Sequence, residues 1–106
     1  NSNVLDLGCG DGKLLAYLQH SKRIHGTGVE RAPDAVVKSI QRGVNVIQQD
    51  LEEGLALFPD QHFQTVVLSK TLQSMLHTET ILREMARVAN YGVVSFPNFG
   101  YWTHGL

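Results

Sequence analysis

Three glycines at alternate positions, Gly8, Gly10 and Gly12, follow a short apolar run near the start of the chain. Glycine accepts a positive φ, and because it has no Cβ it lets backbone N–H groups come close to a ligand. Glu30, about 20 residues further on, is a carboxylate that can accept hydrogen bonds from both hydroxyls of an unphosphorylated ribose and would repel a 2′-phosphate. The combination favours a site for a nucleoside-containing cofactor over a merely solvated carboxylate at a strand end.

The spacing of these glycines excludes two common phosphate-binding motifs. A P-loop requires Gly-Lys followed by Ser or Thr, with another glycine five residues earlier, whereas this chain has Leu14 and Leu7 at those positions. A dinucleotide fingerprint requires Gly or Ala three places after the second glycine, and Lys13 stands there. A nicotinamide-dependent oxidoreductase is therefore the least favoured of the functions considered.

Other polar residues stand where predicted strands end. Asp6 ends the first strand, Asp50 follows the third and Ser69 follows the fourth. Ligands of open α/β sheets bind beyond the carboxyl ends of the strands, so these residues are candidates for the same site. Asp50 has two interpretations that can coexist: it accepts from the adenine amino group, with the Leu51 N–H beside the ring, or it is the N-cap of the next helix.

The remaining reactive residue types give weaker signals. Cys9 lies between two loop glycines without an assignable His or Asn partner, so a packing role is favoured over a nucleophile. The five histidines show no pair at metal-ligand spacing with carboxylate or thiolate support, so no metal site is expected. No acid/base pair is evident and no catalytic residue is assigned. A base, if one is needed, would come from Ser69, Lys70, Thr71 or Gln73.

A C-terminal group of aromatic residues has two interpretations as well. It could form a cage near the open end of the sheet, although core packing explains such groups more often. The members are Phe96, Phe99, Tyr101 and Trp102.

Length and composition fit one soluble globular domain covering residues 1–106, with 42% hydrophobic and 18% charged residues. The formal net charge is −1 and there is no basic run, so neither nucleic acid nor a membrane surface is an expected partner. The single cysteine and the lack of a membrane-length apolar segment lead us to expect a cytoplasmic protein. Because the chain starts without Met and enters a strand almost at once, we expect it to be part of a longer protein.

The hydrophobic pattern alternates between strand and helix along the chain. It predicts a parallel sheet with right-handed crossovers and the strand order 3-2-1-4-5, which brings the candidate residues to one edge. Strands are predicted over residues 4–7, 23–30, 44–48, 65–69 and 92–96, and helices over residues 12–20, 33–43, 51–58 and 78–89.

The segment from Asp6 to Gly12 reads Asp-x-Gly-x-Gly-x-Gly, which resembles the first motif of the class I methyltransferases that use S-adenosylmethionine. Longer stretches over nearly the whole chain are similar to the MetW family of bacterial methionine-biosynthesis proteins. Among the most specific are Thr-Leu-Gln at 71–73 and Ser-Phe-Pro-Asn-Phe-Gly at 95–100. The other stretches are residues 4–12, 26–30, 42–50, 60–63 and 66–69.

The resemblance implies a Rossmann-like class I methyltransferase fold that lacks strands 6 and 7, and a role in methionine synthesis. It implies S-adenosylmethionine or S-adenosylhomocysteine as the cofactor, with an unknown methyl acceptor if the protein is an enzyme. It also implies an alternative, a non-catalytic accessory or activating partner of homoserine O-acyltransferase. The residues predicted to bind the cofactor are Asp6, Gly8, Cys9, Gly10, Glu30, Arg31, Asp50, Leu51 and Ser69.

Overall fold

A computed structural model describes residues 2–69, 77–96 and 100–105, the side chains of 95, 96 and 100–105 excepted. Lys70, Thr71 and Gln73 lie outside the described residues, and so do the side chains of the C-terminal aromatic group. The elements in chain order are β1 (Ser2–Leu7), α1 (Lys13–Lys22), β2 (Ile24–Glu30), α2 (Pro33–Gln41), β3 (Asn45–Gln48), α3 (Leu51–Ala56), β4 (Phe63–Leu68), α4 (Thr78–Val88), β5 (Ala89–Phe96) and β6 (Gly100–Gly105).

The sheet has the order β3-β2-β1-β4-β5-β6, and its first five strands are parallel. The predicted order 3-2-1-4-5 is therefore confirmed. Leu7 at the end of β1 lies opposite Val29 of β2 and Leu68 of β4, so the carboxyl ends of these three strands meet at one edge. The chain crosses from one side of β1 to the other between β3 and β4, which makes β1 the switch point where open α/β sheets bind ligands.

The sheet has one strand more than the five predicted. β6 runs antiparallel to β5, with Gly100 opposite Phe96. Only residues 97–99 separate the two strands, and an antiparallel pair can be joined by a short connection. Tyr101, Trp102 and Thr103 are residue types that favour strands, whereas the prediction from the sequence for this segment is an aromatic cage or core cluster. The expectation that strands beyond the fifth are missing is therefore wrong for β6.

Two apolar cores cover the two faces of the sheet, because side chains of a strand alternate between its faces. The larger core holds Leu5 and Leu7 of β1, and the smaller one holds Val4 with Leu15 of α1. The other buried members of the larger core are Val29, Leu55, Phe63, Val66, Leu68, Ile81, Met85, Val88, Ala89 and Val94. The smaller core also includes Cys9 and Val44.

Two glycines weaken the strand propensity of β2, yet the packing against α1 depends on them. A Cβ at Gly26 would lie 2.9 Å from Cδ2 of Leu15, and one at Gly28 would lie 2.5 Å from Sγ of Cys9. Because β2 has no side chains at these two positions, α1 and the residues before it can approach the strand closely.

Candidate functional site

The glycine loop lies between β1 and α1, and each of its three glycines has a positive φ: 73° at Gly8, 60° at Gly10 and 83° at Gly12. Such values favour glycine, because other L-residues are strained in this region. The N–H groups of Gly8 and Cys9 both donate to the carbonyl of Val29, at 2.7 and 3.1 Å. The beginning of the loop is thereby bound to the end of β2.

Glu30 ends β2 with its carboxylate against this loop, and the residue is only 2% exposed. Its Oε1 accepts from the N–H of Gly10 at 2.9 Å. Its Oε2 accepts from the N–H groups of Arg31 and Ala32, at 3.0 and 2.9 Å, just before α2 begins. The carboxylate predicted to hold a ribose therefore does lie beside the glycine loop, in an orientation fixed by backbone donors.

The expected role of the loop N–H groups is corrected by these contacts. Those of Gly8, Cys9 and Gly10 donate to acceptors in β2, and that of Gly12 donates to the carbonyl of Cys9 at 3.1 Å. They serve the loop itself, so a ligand would not find them as ready donors. What the loop offers is a face without side chains: a Cβ at Gly10 would have no heavy atom within 4 Å outside its chain neighbours.

Asp6 and Ser69 form a second contact at the same edge. The Ser69 hydroxyl donates to Oδ1 of Asp6 at 2.7 Å, and the Ser69 N–H donates to the Leu7 carbonyl at 3.1 Å. Asp6 is 1% exposed, and burial raises the pKa of its carboxyl to about 6, with a further contribution from the charge of Glu30 and an opposing one from the Ser69 hydrogen bond. A perturbed carboxyl beside a second carboxylate is typical of functional sites.

The Cys9 side chain points from the loop into the smaller core, and its environment suits a packing role. Burial raises the pKa of its thiol to about 11, although its hydrogen bond with Ser39 opposes this. A thiol with so high a pKa remains protonated near neutral pH and is a poor nucleophile. The contribution of Cys9 to the site comes from its small side chain and from its backbone.

Ser39 is a residue of this site that sequence reasoning missed. It lies on α2, is fully buried, and donates its hydroxyl hydrogen to the Gly10 carbonyl at 2.9 Å. A signal was present, because Ser39 stands three residues after the buried Val36 and so shares the inward face of an amphipathic helix. A polar side chain on such a face needs a hydrogen-bond partner.

The predicted adenine side of the site lies at the ends of β2 and β3. A concavity of about 400 Å³ there is lined by Arg31, Gln48, Gln49 and Asp50, of which the two glutamines were not predicted. Asp50 is the N-cap of α3, since its Oδ1 accepts from the Glu53 N–H at 2.7 Å. The capping interpretation is confirmed, and the adenine contact stays a prediction.

The predicted residues fall into three groups. Asp6, Ser69, Glu30 and the loop residues Gly8 to Gly10 come together around the end of β1. Arg31 and Asp50 line the neighbouring concavity. Leu51 begins α3 and its side chain packs against the larger core, while the predicted contact of its N–H with adenine stays a prediction.

In the part of the chain that the structure describes, no three His, Cys, Asp or Glu side chains are grouped so that they could hold a metal ion. No helix in it has the length and apolar character needed to cross a membrane.

Comparison with solved structures identifies the fold. A possible histamine N-methyltransferase of Thermotoga maritima superposes with a TM-score of 0.72 at 23% identity, over 89% of this chain and 44% of that one. The [4+2]-cyclase SpnF gives 0.79 at 23% identity, over 89% of this chain and 38% of that one. These likenesses establish the fold, which is the Rossmann-like fold of class I S-adenosylmethionine-dependent methyltransferases.

The particular family follows from the sequence comparisons. The family model described as methionine biosynthesis protein MetW matches residues 1–106. The bifunctional methionine biosynthesis protein MetXA/MetW of Rhodopirellula baltica is 42% identical in an alignment 108 residues long, gaps included, that covers 94% of this chain and 17% of that protein. The chain belongs to the MetW family, and it spans about a sixth of this curated relative.

Proposed function

We propose that this chain binds S-adenosylmethionine or S-adenosylhomocysteine across the glycine loop, as the cofactor-binding part of a cytoplasmic protein of methionine biosynthesis. One observation carries the proposal: the space over Gly10 is open, and the buried carboxylate of Glu30 is bonded to the Gly10 N–H beside that space. A flat backbone surface next to a fixed carboxylate suits a ribose with two free hydroxyls.

The surrounding residues fit an adenosyl group. The concavity of about 400 Å³ adjoins the end of β2 where Glu30 lies, and polar side chains line it. The Asp50 carboxylate at its rim can accept from an adenine amino group with the oxygen that does not cap α3. The site lies at the β1 switch point, where open α/β sheets place their ligands.

The proposed task of the described residues is to bind and orient. Glu30 would accept from the ribose hydroxyls while its backbone contacts keep it from turning. When bound, S-adenosylmethionine supplies a methyl group on a sulfonium sulfur, which an acceptor takes by in-line displacement. Positioning and exclusion of water can carry much of the rate of such a transfer.

Two glycine variants test this proposal in isothermal titration calorimetry with S-adenosylhomocysteine. Gly10→Ala fills the open face of the loop, so we expect binding to be lost. Gly43→Ala is the matched control, because Gly43 also has a positive φ of 81° and open space around its missing Cβ but lies where α2 ends, before β3 begins. We expect it to bind like the unchanged chain.

The unchanged chain should bind S-adenosylmethionine and S-adenosylhomocysteine but not NAD. Absence of binding to both adenosyl compounds would refute the proposal. Equal affinities of the Gly10→Ala variant and the unchanged chain would place the ligand somewhere other than over the loop.

A second candidate function is an accessory role toward a homoserine O-acyltransferase. The observation that favours it is the Rhodopirellula baltica relative, in which MetXA and MetW are joined in one polypeptide. Co-purification of the chain with a homoserine O-acyltransferase, followed by acyltransferase assays with and without it, tests this role. A stable complex with a changed rate supports the role, whereas no complex and no change of rate reject it. Transfer of labelled methyl to a component of a cell extract would instead establish an enzyme.

A further inference from the structure

The peptide groups on both sides of Gly10 are held by side chains from different elements. The N–H of Gly10 donates to Oε1 of Glu30 at the end of β2, and its carbonyl accepts from the hydroxyl of Ser39 on α2, both at 2.9 Å. Together, the two hydrogen bonds fix the orientation of the peptide groups before and after Gly10. The same residue carries the open face of the loop.

Packing fixes the distance between Ser39 and the loop. A Cβ at Gly12 would lie 2.9 Å from Oγ and 3.0 Å from Cα of Ser39, so α2 touches the loop backbone directly. The Cys9 Sγ also lies 3.7 Å from the Gly10 carbonyl, but a thiol is a weak donor and does not replace a hydroxyl. Ser39 is therefore the strong side-chain donor to this carbonyl among the described contacts.

Glu30 is connected to the same helix, because its Oε2 accepts from the two N–H groups that precede α2. A shift of α2 would therefore move both side chains that hold Gly10. We infer that Ser39 is a positioning residue of the adenosyl site: it touches no ligand, and it holds the Gly10 carbonyl so that the loop face stays open beside Glu30. The inference rests on the proposed function, since it concerns the site of that ligand.

The test compares Ser39→Ala with Val36→Ala. Val36 is buried one turn earlier on α2 and carries no polar atom, so its truncation disturbs the helix packing without removing the hydrogen bond. Affinity for S-adenosylhomocysteine is measured by calorimetry at a temperature where circular dichroism shows both variants fully folded. We expect Ser39→Ala to bind about five- to tenfold more weakly, as the loss of one hydrogen bond predicts, and Val36→Ala to bind within about twofold of the unchanged chain.

A second measurement does not depend on the ligand. Amide hydrogen exchange followed by NMR should show faster exchange at Gly10 in Ser39→Ala, while the Gln61 amide, which donates to the Arg87 carbonyl far from the loop, exchanges as before. Faster exchange with unchanged affinity refutes the positioning role, and so does weaker binding by both variants. If the unchanged chain does not bind at all, the proposed function fails, and the inference about the site falls with it, while the exchange data still show whether Ser39 holds the loop.

Discussion

At each of two edges of the sheet, one charged side chain forms hydrogen bonds with several backbone groups. At the carboxyl edge, Glu30 accepts from the N–H of Gly10 and from the two N–H groups that precede α2. The opposite edge, where the amino ends of β4 and β5 lie, is called the amino edge here. There Arg87 donates to the carbonyls of Phe58 and Leu55, at 2.8 and 3.1 Å, and so connects the end of α3 to α4. Each cluster satisfies polar backbone groups that helices and loops leave without regular partners.

The clusters differ in the charged groups that lie beside them. Arg87 is paired with Glu84 and Asp60, at 2.7 and 2.9 Å, so its charge is matched locally. Glu30 instead lies close enough to Asp6 that its charge helps to raise the pKa of that carboxyl. A matched cluster stabilises the fold, whereas two neighbouring buried carboxylates cost stability and are characteristic of sites built for a ligand. The comparison supports the proposal that the carboxyl edge binds a ligand, whereas the contacts of Arg87 support the fold at the amino edge.

The strongest test of this division is the effect of Glu30→Ala on ligand affinity. Two hydrogen bonds from hydroxyls to a carboxylate are worth about 3 kcal/mol together, so affinity for S-adenosylhomocysteine should fall about 100-fold or more in calorimetry. Glu30→Gln keeps the shape of the side chain and serves as a second variant should the alanine variant be poorly folded. Arg87→Ala, at the opposite edge, should bind normally. Affinity of both Glu30 variants within about threefold of the unchanged chain would contradict the ribose role.

The second test is the pH dependence of stability that Asp6 causes. Its carboxyl has a pKa of about 6 in the folded chain against an ordinary 3.8, so between these values the folded state keeps a proton that the unfolded state has lost. The free energy of unfolding should therefore fall by about 2–3 kcal/mol as pH rises from about 4, through the folded-state pKa, to about 7, and then level off.

Asp6→Asn removes this titration while keeping an oxygen that can accept from Ser69. Urea unfolding of both proteins at several pH values isolates the contribution of Asp6 from that of other carboxyls, such as Asp11, whose pKa is lowered chiefly by the Lys13 N–H. Parallel pH profiles of the two proteins would show that Asp6 is not the group responsible.

The third test concerns the amino edge. Arg87→Ala removes the guanidinium donor from the carbonyls of Leu55 and Phe58, and the Leu55 carbonyl keeps the Phe58 N–H as a donor at 3.2 Å. Together with the loss of the contacts to Glu84 and Asp60, this should lower the free energy of unfolding by about 2 kcal/mol in urea denaturation. Arg83 on the same helix is the matched control, because it is exposed and pairs with Glu79 by a single i,i+4 contact. Arg83→Ala should change stability by less than about 0.5 kcal/mol. Equal losses in the two variants would show that Arg87 is only another surface ion pair.

The smallest expected effect separates the two roles of Asp50. Asp50→Ala removes the N-cap bond to Glu53 and should cost about 1 kcal/mol of stability, whereas Asp50→Asn keeps a capping oxygen and should cost little. If the carboxylate also accepts from adenine, Asp50→Ala should weaken S-adenosylhomocysteine binding about five- to tenfold as well. Unchanged affinity in calorimetry would leave Asp50 as a cap alone.

The sequence contained enough to predict the order of the parallel strands and the position of Glu30 beside the glycine loop. Apolar runs, loop glycines and the proline at the start of α2 are local signals, and the crossover rule converts them into topology. The contact between Gly10 and Glu30 follows from that topology, because β1 and β2 are neighbours whose carboxyl ends meet.

Three features could not be obtained in this way because they depend on tertiary contacts. The loop N–H groups point toward Val29 and Glu30 because the end of β2 places hydrogen-bond acceptors beside the loop. Ser39 contacts the loop only because α2 packs directly against Gly12, a distance that spacing does not reveal. The aromatic residues of β6 are equally compatible with a cage, a core cluster or a strand, and only the antiparallel pairing with β5 decides for the strand.

The most direct measurement is an NMR titration of the isotope-labelled chain with S-adenosylhomocysteine, in which the backbone amide resonances report where the ligand lies. We predict shifts at the amides of Gly10, Arg31 and Ala32, whose N–H groups surround the Glu30 carboxylate, and none at Gln61 beside Arg87. Shifts confined to the amino edge, or no shifts at saturating ligand, would contradict the assignment of binding to the glycine loop.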